Sequence, residues 1–381
     1  MIPYGKQSIT PEDIEAVVRV LQGDFLTQGP EVDRFENLIQ SVTEAPHAVA
    51  VANGTAALHL VVMALGIKPG QKVICPPLSF VASANCVLYA GGCVEFVDID
   101  PKTLCLDPQL VEEKLKSAKP GEYAGVITVD FAGYPSSLRQ LKELTSNRGI
   151  WLLEDSCHAL GAEYFSGRDS TFLKAGSCSH ADAAIFSFHP VKHIAAGEGG
   201  MVTTAHEKVA KRVKLLRTHG ITKDPKELTK NEGPWFYEMQ ELGFNYRMPD
   251  ILCALASSQL GRLAKNLERR REIANRYALE FKNLPLTTPE TTSEVKHAWH
   301  LYVIQTEKRA QLFNHLRANG IAPQVHYIPI HTQPYYVKHF GKVSMPCSEQ
   351  FYSRALSLPM YHGMNDQAQD QVIRAVKSFY E

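Results

Sequence analysis

"DAAIFSFHPVKHIAAGEGGMVTT", residues 182–204, is the stretch whose reading decides the fold of this chain. Two apolar runs of strand length, "DAAIFSF" (182–188) and "GMVTT" (200–204), bracket a glycine-rich turn. Pro190 blocks a helix between them, and Lys192 follows the first run where burial would strip water from its amine. Comparable runs stand upstream: "HAVAVAN" (47–53), "QKVICP" (71–76), "CVEFVDID" (93–100), "AGVITVD" (124–130) and "GIWLLED" (149–155). Helical patterns separate them. Their near-continuous apolarity marks strands covered on both faces, so the reading is an α/β domain on a mostly parallel, seven-stranded sheet. Ligands of such sheets collect beyond the carboxyl ends of the strands.

The chain continues past this sheet with a different texture. "LCALASSQLGRLAKNLERRREIANRYALEF" reads as one long amphipathic helix joining two lobes. "HAWHLYVIQ", "RAQLFNHLRANGI", "APQVHYIPIH" and "NDQAQDQVIRAVKSFYE" then predict strand, helix, strand and helix of a smaller α+β lobe. The expected division is a large domain over residues 1–250, with the linking helix and small domain over 251–381. At the N-terminus, Thr10 or Ser8 ahead of Pro11-Glu12-Asp13 is a helix-capping signature.

Bulk composition narrows the partners. Forty basic and forty acidic residues cancel, which removes a long-range field for nucleic acid or an anionic membrane and leaves local phosphate sites open. No apolar run approaches the roughly 20 residues of a membrane span, and no basic segment leads into an apolar one at the start. A soluble, cytoplasmic protein is expected. The eight cysteines are scattered without a C-x-x-C pair, as reduced core thiols would be.

Three signals fall at strand ends. "AVANGTAAL" runs from a strand through Asn53-Gly54 into a helix at Thr55 and Ala56, aiming free N–H groups at a site for phosphate; the plainer alternative is a strand-to-helix turn capped by Thr55. "IWLLEDSCH" ends a strand on Asp155, with His158 three residues on; Asp155 is either a helix cap or the partner of a cationic ligand atom. Lys192 is either a surface lysine or a desolvated nucleophilic amine suited to Schiff-base chemistry. Together they form the protein side of a pyridoxal 5'-phosphate (PLP) site: a helix end for the phosphate, a carboxylate for the ring nitrogen, a lysine for the aldehyde. Ser187 could add a hydroxyl to the phosphate, and Phe80 could stack on the ring unless it is core.

"NGTAAL", "PPLSFVASAN", "EDSCHALG", "FSFHPVKHIAAGEGG", "LRTHGI" and "GFNYRMPDI" occur in the order of the nucleotide-sugar aminotransferases, which the chain resembles along nearly its whole length. These are fold-type I PLP-dependent transferases. The resemblance implies that Lys192 carries the cofactor's aldehyde carbon and that Asp155 pairs with the pyridine nitrogen, with His158 beside the ring. It assigns Thr55, Ala56 and Ser187 to the phosphate and Phe80 to the ring face. Asn245 would reach the phosphate in a neighbouring subunit, making a homodimer with shared sites; otherwise it is a turn residue. Tyr4 and the segment Asp24, Phe25, Leu26 and Thr27 would line the sugar pocket, closed by His326 and Tyr327, or any of these could be interdomain packing. Ala195 and Ala196 stand where hydroxyl residues are common in the family.

Within the family, "QELGFNYRMPDI" and "APQVHYIPIH" are most similar to the members of the pseudaminic-acid branch. That implies transfer of an amino group from L-glutamate to C4 of a UDP-linked 4-keto-6-deoxy-2-acetamido sugar. A dehydratase of the same superfamily, which typically has histidine at the lysine position, is one alternative, and an aminotransferase for a dTDP- or GDP-linked or 3-keto sugar is another. A metal site on His180, His189 and His193 is disfavoured by Pro190, and a nicotinamide enzyme by the lack of G-x-G-x-x-G. No metal is expected. A module that keeps PLP without turnover is the remaining reading.

Overall fold

The computed structural model describes residues 1–167 and 171–381. All seven predicted strands form, in one sheet: β1 (His47–Val51), β2 (Lys72–Cys75), β3 (Cys93–Phe96), β4 (Tyr123–Val129), β5 (Trp151–Asp155), β6 (Ala183–Ser187) and β7 (Gly200–Thr204). Their spatial order is β1-β7-β6-β5-β4-β2-β3, and only β7 runs antiparallel to its neighbours. The reversal comes from the opening stretch itself: β6 and β7 pair Ser187 with Gly200, so the turn carrying Lys192 returns the chain directly to the adjacent strand.

Consecutive side chains of a strand face opposite layers, which is why the runs read as continuously apolar. Ile185 and Leu153 pack with the helix Gly54–Ala64, while Phe186 packs with Phe35 and Ile39 of the helix Pro30–Thr43 on the other face. Asp250 fixes that second helix from far away in sequence. Its carboxylate accepts the N–H groups of Gly29 (2.9 Å) and Glu31 (3.0 Å), satisfying donors that a helix start leaves unpaired.

The expected single linking helix is two helices, Asp250–Leu260 and Leu263–Glu280, broken at Gly261-Arg262. The first stays with the sheet layer, against the N-terminal helix Pro11–Leu21. Buried Asp13 holds that junction, accepting from Arg262 (2.7 Å), Ser258 (2.7 Å) and the Thr10 N–H (3.0 Å), the last closing the predicted cap. The second helix enters the smaller lobe, whose core joins Ile273 and Tyr277 to Tyr302, Ile304, Leu312, Leu356 and Val372. Strand Tyr302–Gln305 pairs antiparallel with Ala355–Leu358, a strand not legible in the sequence; where "APQVHYIPIH" (322–331) predicts a strand there are the two-residue strand Ile321–Ala322, a bridge from Gln324 to Ser357 and a 3-10 turn at Ile330–Thr332.

The lobes are tied at several points. Asp98, buried beyond β3, accepts from the Cys347 N–H (2.8 Å), the Ser348 N–H (3.0 Å) and the Ser348 hydroxyl (2.5 Å) at the start of the helix Pro346–Arg354. Tyr336 Oη donates to Asn85 Oδ1 (2.7 Å), and the Ile330 N–H donates to the Pro77 carbonyl (2.8 Å). The first residues cross over: Ile2–Pro3 pairs with Ile321–Ala322. This crossing sets Tyr4 between the lobes. Among the described residues no helix is long and apolar enough to cross a membrane.

Candidate active site

A cavity of about 420 Å³ opens beyond the carboxyl ends of β1, β5 and β6, where parallel sheets place their ligands. Of the residues singled out in the sequence, Tyr4, Thr55, Phe80, Asp155, His158, Ser187, Lys192, His326 and Tyr327 line it. Residues from positions 4 to 327 thus meet in one place.

The helix Gly54–Ala64 points its N-terminus into this cavity. Its cap is Asn53 rather than Thr55: Asn53 Oδ1 accepts the Ala56 N–H at 2.8 Å. The Ala56 amide, one of those expected at the phosphate, is the one this cap engages. The Gly54 and Thr55 amides have no intrahelical acceptor and take none among the described residues, and both residues line the cavity, as an anion-binding helix end would. Ser187 closes it from β6. A Cβ on Gly54 would lie 3.0 Å from Ser187 Cβ and 3.4 Å from Cys157 Sγ, so a side chain there would press on both walls beside the helix end.

Asp155 ends β5 with its carboxylate supplied by donors. Ser83 Oγ donates to Oδ2 at 2.6 Å and the Cys157 N–H to Oδ1 at 3.2 Å. Since Ser83 spends its only proton on Asp155, Ser79 donates to Ser83 (2.7 Å). The pair Ser79 and Ser83, absent from the sequence reading, had a signal in the i,i+4 hydroxyls of "PPLSFVASAN" next to β2. Phe80, between them, is 56% exposed at the mouth; it is not a core residue.

Lys192 stands opposite. Desolvation draws its amine below the ordinary lysine range, and the nearby Cys157 and Asp155 pull it partly back. Of the histidines around it, His158 Nδ1 accepts the Ala132 N–H (3.3 Å) and its Nε2 lies 3.2 Å from Tyr327 Oη. His300, which no local motif marked, also lines the cavity, its ring 4.3 Å from that of His158. His193 is turned away onto the Ala298 carbonyl (3.0 Å), and His326 Nδ1 contacts Ser357 Oγ (2.8 Å). Burial holds His158, His193 and His300 well below the usual histidine range and His326 at about 4. The three histidines considered for a metal do not converge: His189 stands at the cavity mouth, His193 faces Ala298 and His180 meets Tyr164 Oη (3.2 Å).

Two expected groups lie outside the cavity of the same chain. Asp24, Phe25, Leu26 and Thr27 form an exposed turn, drawn toward Asp250 by the bond from its N–H to the Leu26 carbonyl (3.0 Å). Asn245 is exposed too, in a bridge with Thr218.

A family model described as the DegT/DnrJ/EryC1/StrS aminotransferase family matches residues 7–377. The chain belongs to this family. It is 37% identical to the spore coat polysaccharide biosynthesis protein SpsC of Bacillus subtilis, over 99% of this chain and 96% of that one. It is 38% identical to the UDP-4-amino-4,6-dideoxy-N-acetyl-beta-L-altrosamine transaminase of Campylobacter jejuni, over 96% and 94% of the two chains. In structure it matches Helicobacter pylori PseC, an aminotransferase involved in the biosynthesis of pseudoaminic acid, with a TM-score of 0.90, 29% identity and coverage of 100% and 99%. The fold is that of the fold-type I transferases, and the enzyme is a PLP-dependent aminotransferase. The cavity fits that cofactor: two unengaged amides and a hydroxyl at one end, a hydrogen-bonded carboxylate at the other, and a desolvated amine between.

Proposed function

We propose that this aminotransferase moves an amino group from L-glutamate to C4 of a UDP-linked 4-keto-6-deoxy-2-acetamido sugar, on the route to a nonulosonic acid such as pseudaminic acid or another surface glycan. The observation that carries the catalytic part is the meeting of Lys192, Asp155 and the Gly54–Thr55 helix end in one cavity. The names and full-length similarity of the Campylobacter and Helicobacter relatives support the substrate. They favour amination over dehydration, as does lysine at position 192.

In this reading Gly54, Thr55 and Ser187 hold the cofactor phosphate, Asp155 holds the protonated ring nitrogen and Phe80 covers the ring. When bound, PLP supplies an aldehyde carbon that takes up the amino group and a ring that accepts the electron pair released from the breaking C–H bond. Lys192 would hold the cofactor through its aldehyde carbon, and its Nζ is the base that takes a proton from the amino donor's α-carbon and the acid that returns one at C4 of the sugar. Bonding to the carbon and taking the proton need the neutral amine, which desolvation favours, and returning a proton uses the ammonium so formed. Ser79 and Ser83 keep the Asp155 carboxylate oriented. Tyr4, His326 and Tyr327 contact the sugar. Asp24–Thr27 and Asn245, exposed in one chain, serve the site of a second subunit in a homodimer, and the enzyme works in the cytoplasm.

Lys192→Ala is expected to lower kcat by at least about 10⁴-fold. The test incubates wild type and variant with PLP, L-glutamate and a panel of UDP-, dTDP- and GDP-linked 3- and 4-keto sugars, and identifies the aminated product by mass and NMR. Multiple turnovers by the variant would refute the role of Lys192; preference for a dTDP or GDP sugar would refute the substrate.

A further inference from the structure

The histidine nearest the Asp155 strand has its proton position fixed by backbone. The Ala132 N–H points at His158 Nδ1, so that nitrogen offers a lone pair and carries no proton. Burial, with Lys192, His326 and His193 nearby, keeps the ring neutral. A neutral ring whose Nδ1 accepts has its one proton on Nε2, and Nε2 faces Tyr327 Oη at 3.2 Å. The bond therefore runs from histidine to tyrosine, with Oη accepting. Tyr327 keeps its own hydroxyl proton for something else, and among the described residues no acceptor takes it. Its ring is stacked with His158 (6.1 Å between centroids, 23° between planes) and lines the cavity. Around the phenol stand Tyr4, Cys157 and Asp155, and burial raises its pKa far enough to keep it protonated.

We infer that Tyr327 donates a hydrogen bond to an oxygen of the molecule bound in the cavity, and that His158 is the positioning residue whose backbone-locked tautomer turns the Tyr327 proton toward it. The acceptor is a carbonyl, hydroxyl or anionic oxygen, on the cofactor ring or on the sugar. The inference rests on the proposed reading of the cavity and adds a direction to it: His158 neither shuttles protons nor carries charge during turnover.

Histidine labelled with ¹⁵N tests the tautomer without substrate, in the PLP-loaded protein, with His158→Gln identifying the signal. The expected pattern is a proton on Nε2 from pH 6 to pH 8; a proton on Nδ1, or titration in that range, overturns the inference. Tyr327→Phe, which removes only the hydroxyl, then locates the acceptor. A cofactor acceptor moves the pH midpoint of the bound cofactor's visible absorbance by about one unit. A sugar acceptor leaves that midpoint unchanged and raises KM for the UDP-linked keto sugar about tenfold. If neither moves, Tyr327 is not a donor and the inference fails. His158→Phe should reproduce the Tyr327→Phe effect and add nothing to it in the double variant, while His158→Gln, whose amide can both accept and donate, should restore it; additive effects refute the coupling. Failure to aminate the UDP sugar would sink the substrate assignment, while the tautomer and absorbance readings would still decide this one.

Discussion

The two walls of the cavity handle charge in opposite ways. On the strand side, Asp155 is provided with donors: the Ser83 hydroxyl, backed by Ser79, and the Cys157 amide. Across from it, His158, His193 and His326 meet an N–H, a phenol, a carbonyl and a hydroxyl, and no carboxylate. Donors satisfy the oxygens of a carboxylate, and a buried imidazole denied an anionic partner stays neutral. Lys192 lies between them, and the two groups that raise it, Cys157 and Asp155, are both on the strand side. Charge in this pocket is sorted by what each wall offers as a hydrogen-bond partner.

Removing the anion is expected to break this contrast most severely. Asp155→Asn keeps the shape and the Ser83 contact but deletes the charge, and kcat should fall by about 10³-fold with PLP still bound. Steady-state kinetics beside a cofactor titration separates the two quantities; a loss below tenfold would show that the charge is not used.

Acid should undo the other wall. His326 is lowered to about 4 from an ordinary value of about 6.5, so between these pH values the unfolded chain binds a proton that the folded one refuses. Its contribution to stability is intact above pH 6.5 and is lost as pH falls toward 4, an expected cost of about 3 kcal/mol from this residue alone. Urea unfolding at pH 7.5 and 4.5 measures it, and His326→Gln should flatten the dependence by about that amount.

The smallest effect belongs to the support of the anion. Ser83→Ala deletes one hydrogen bond to Asp155 and should reduce kcat about tenfold or less. Ser79→Ala, one step further out, should do less still. The opposite ranking would mean that these hydroxyls touch the ligand directly.

Legibility followed the same division. Strand ends announce themselves, because an apolar run must stop where a polar residue or a glycine begins; hence Asp155, Lys192 and the Asn53-Gly54 turn could be read locally. His300 could not, and the hydroxyl pair Ser79 and Ser83 showed only its spacing, since their value lies in contacts with residues 142 and 72 positions away. The Asn53 cap was equally hidden, because an Asn at a helix start caps the amide three residues on as readily as it leaves it open. The linking helix was read too long because Gly261 is tolerated by helical periodicity, whereas the Asp13 carboxylate drawing on Ser258 and Arg262 lies out of view of any local window.

Asp98 has a consequence for how the molecule comes apart. Its carboxylate, two residues past a strand of the large lobe, holds the first turn of a small-lobe helix by three donors, and Tyr336–Asn85 and the Ile330 amide also link the lobes. Unfolding either lobe first would strand a buried anion without its donors, a penalty that couples the two. Heating should therefore give one calorimetric peak, and Asp98→Ala should split it into two.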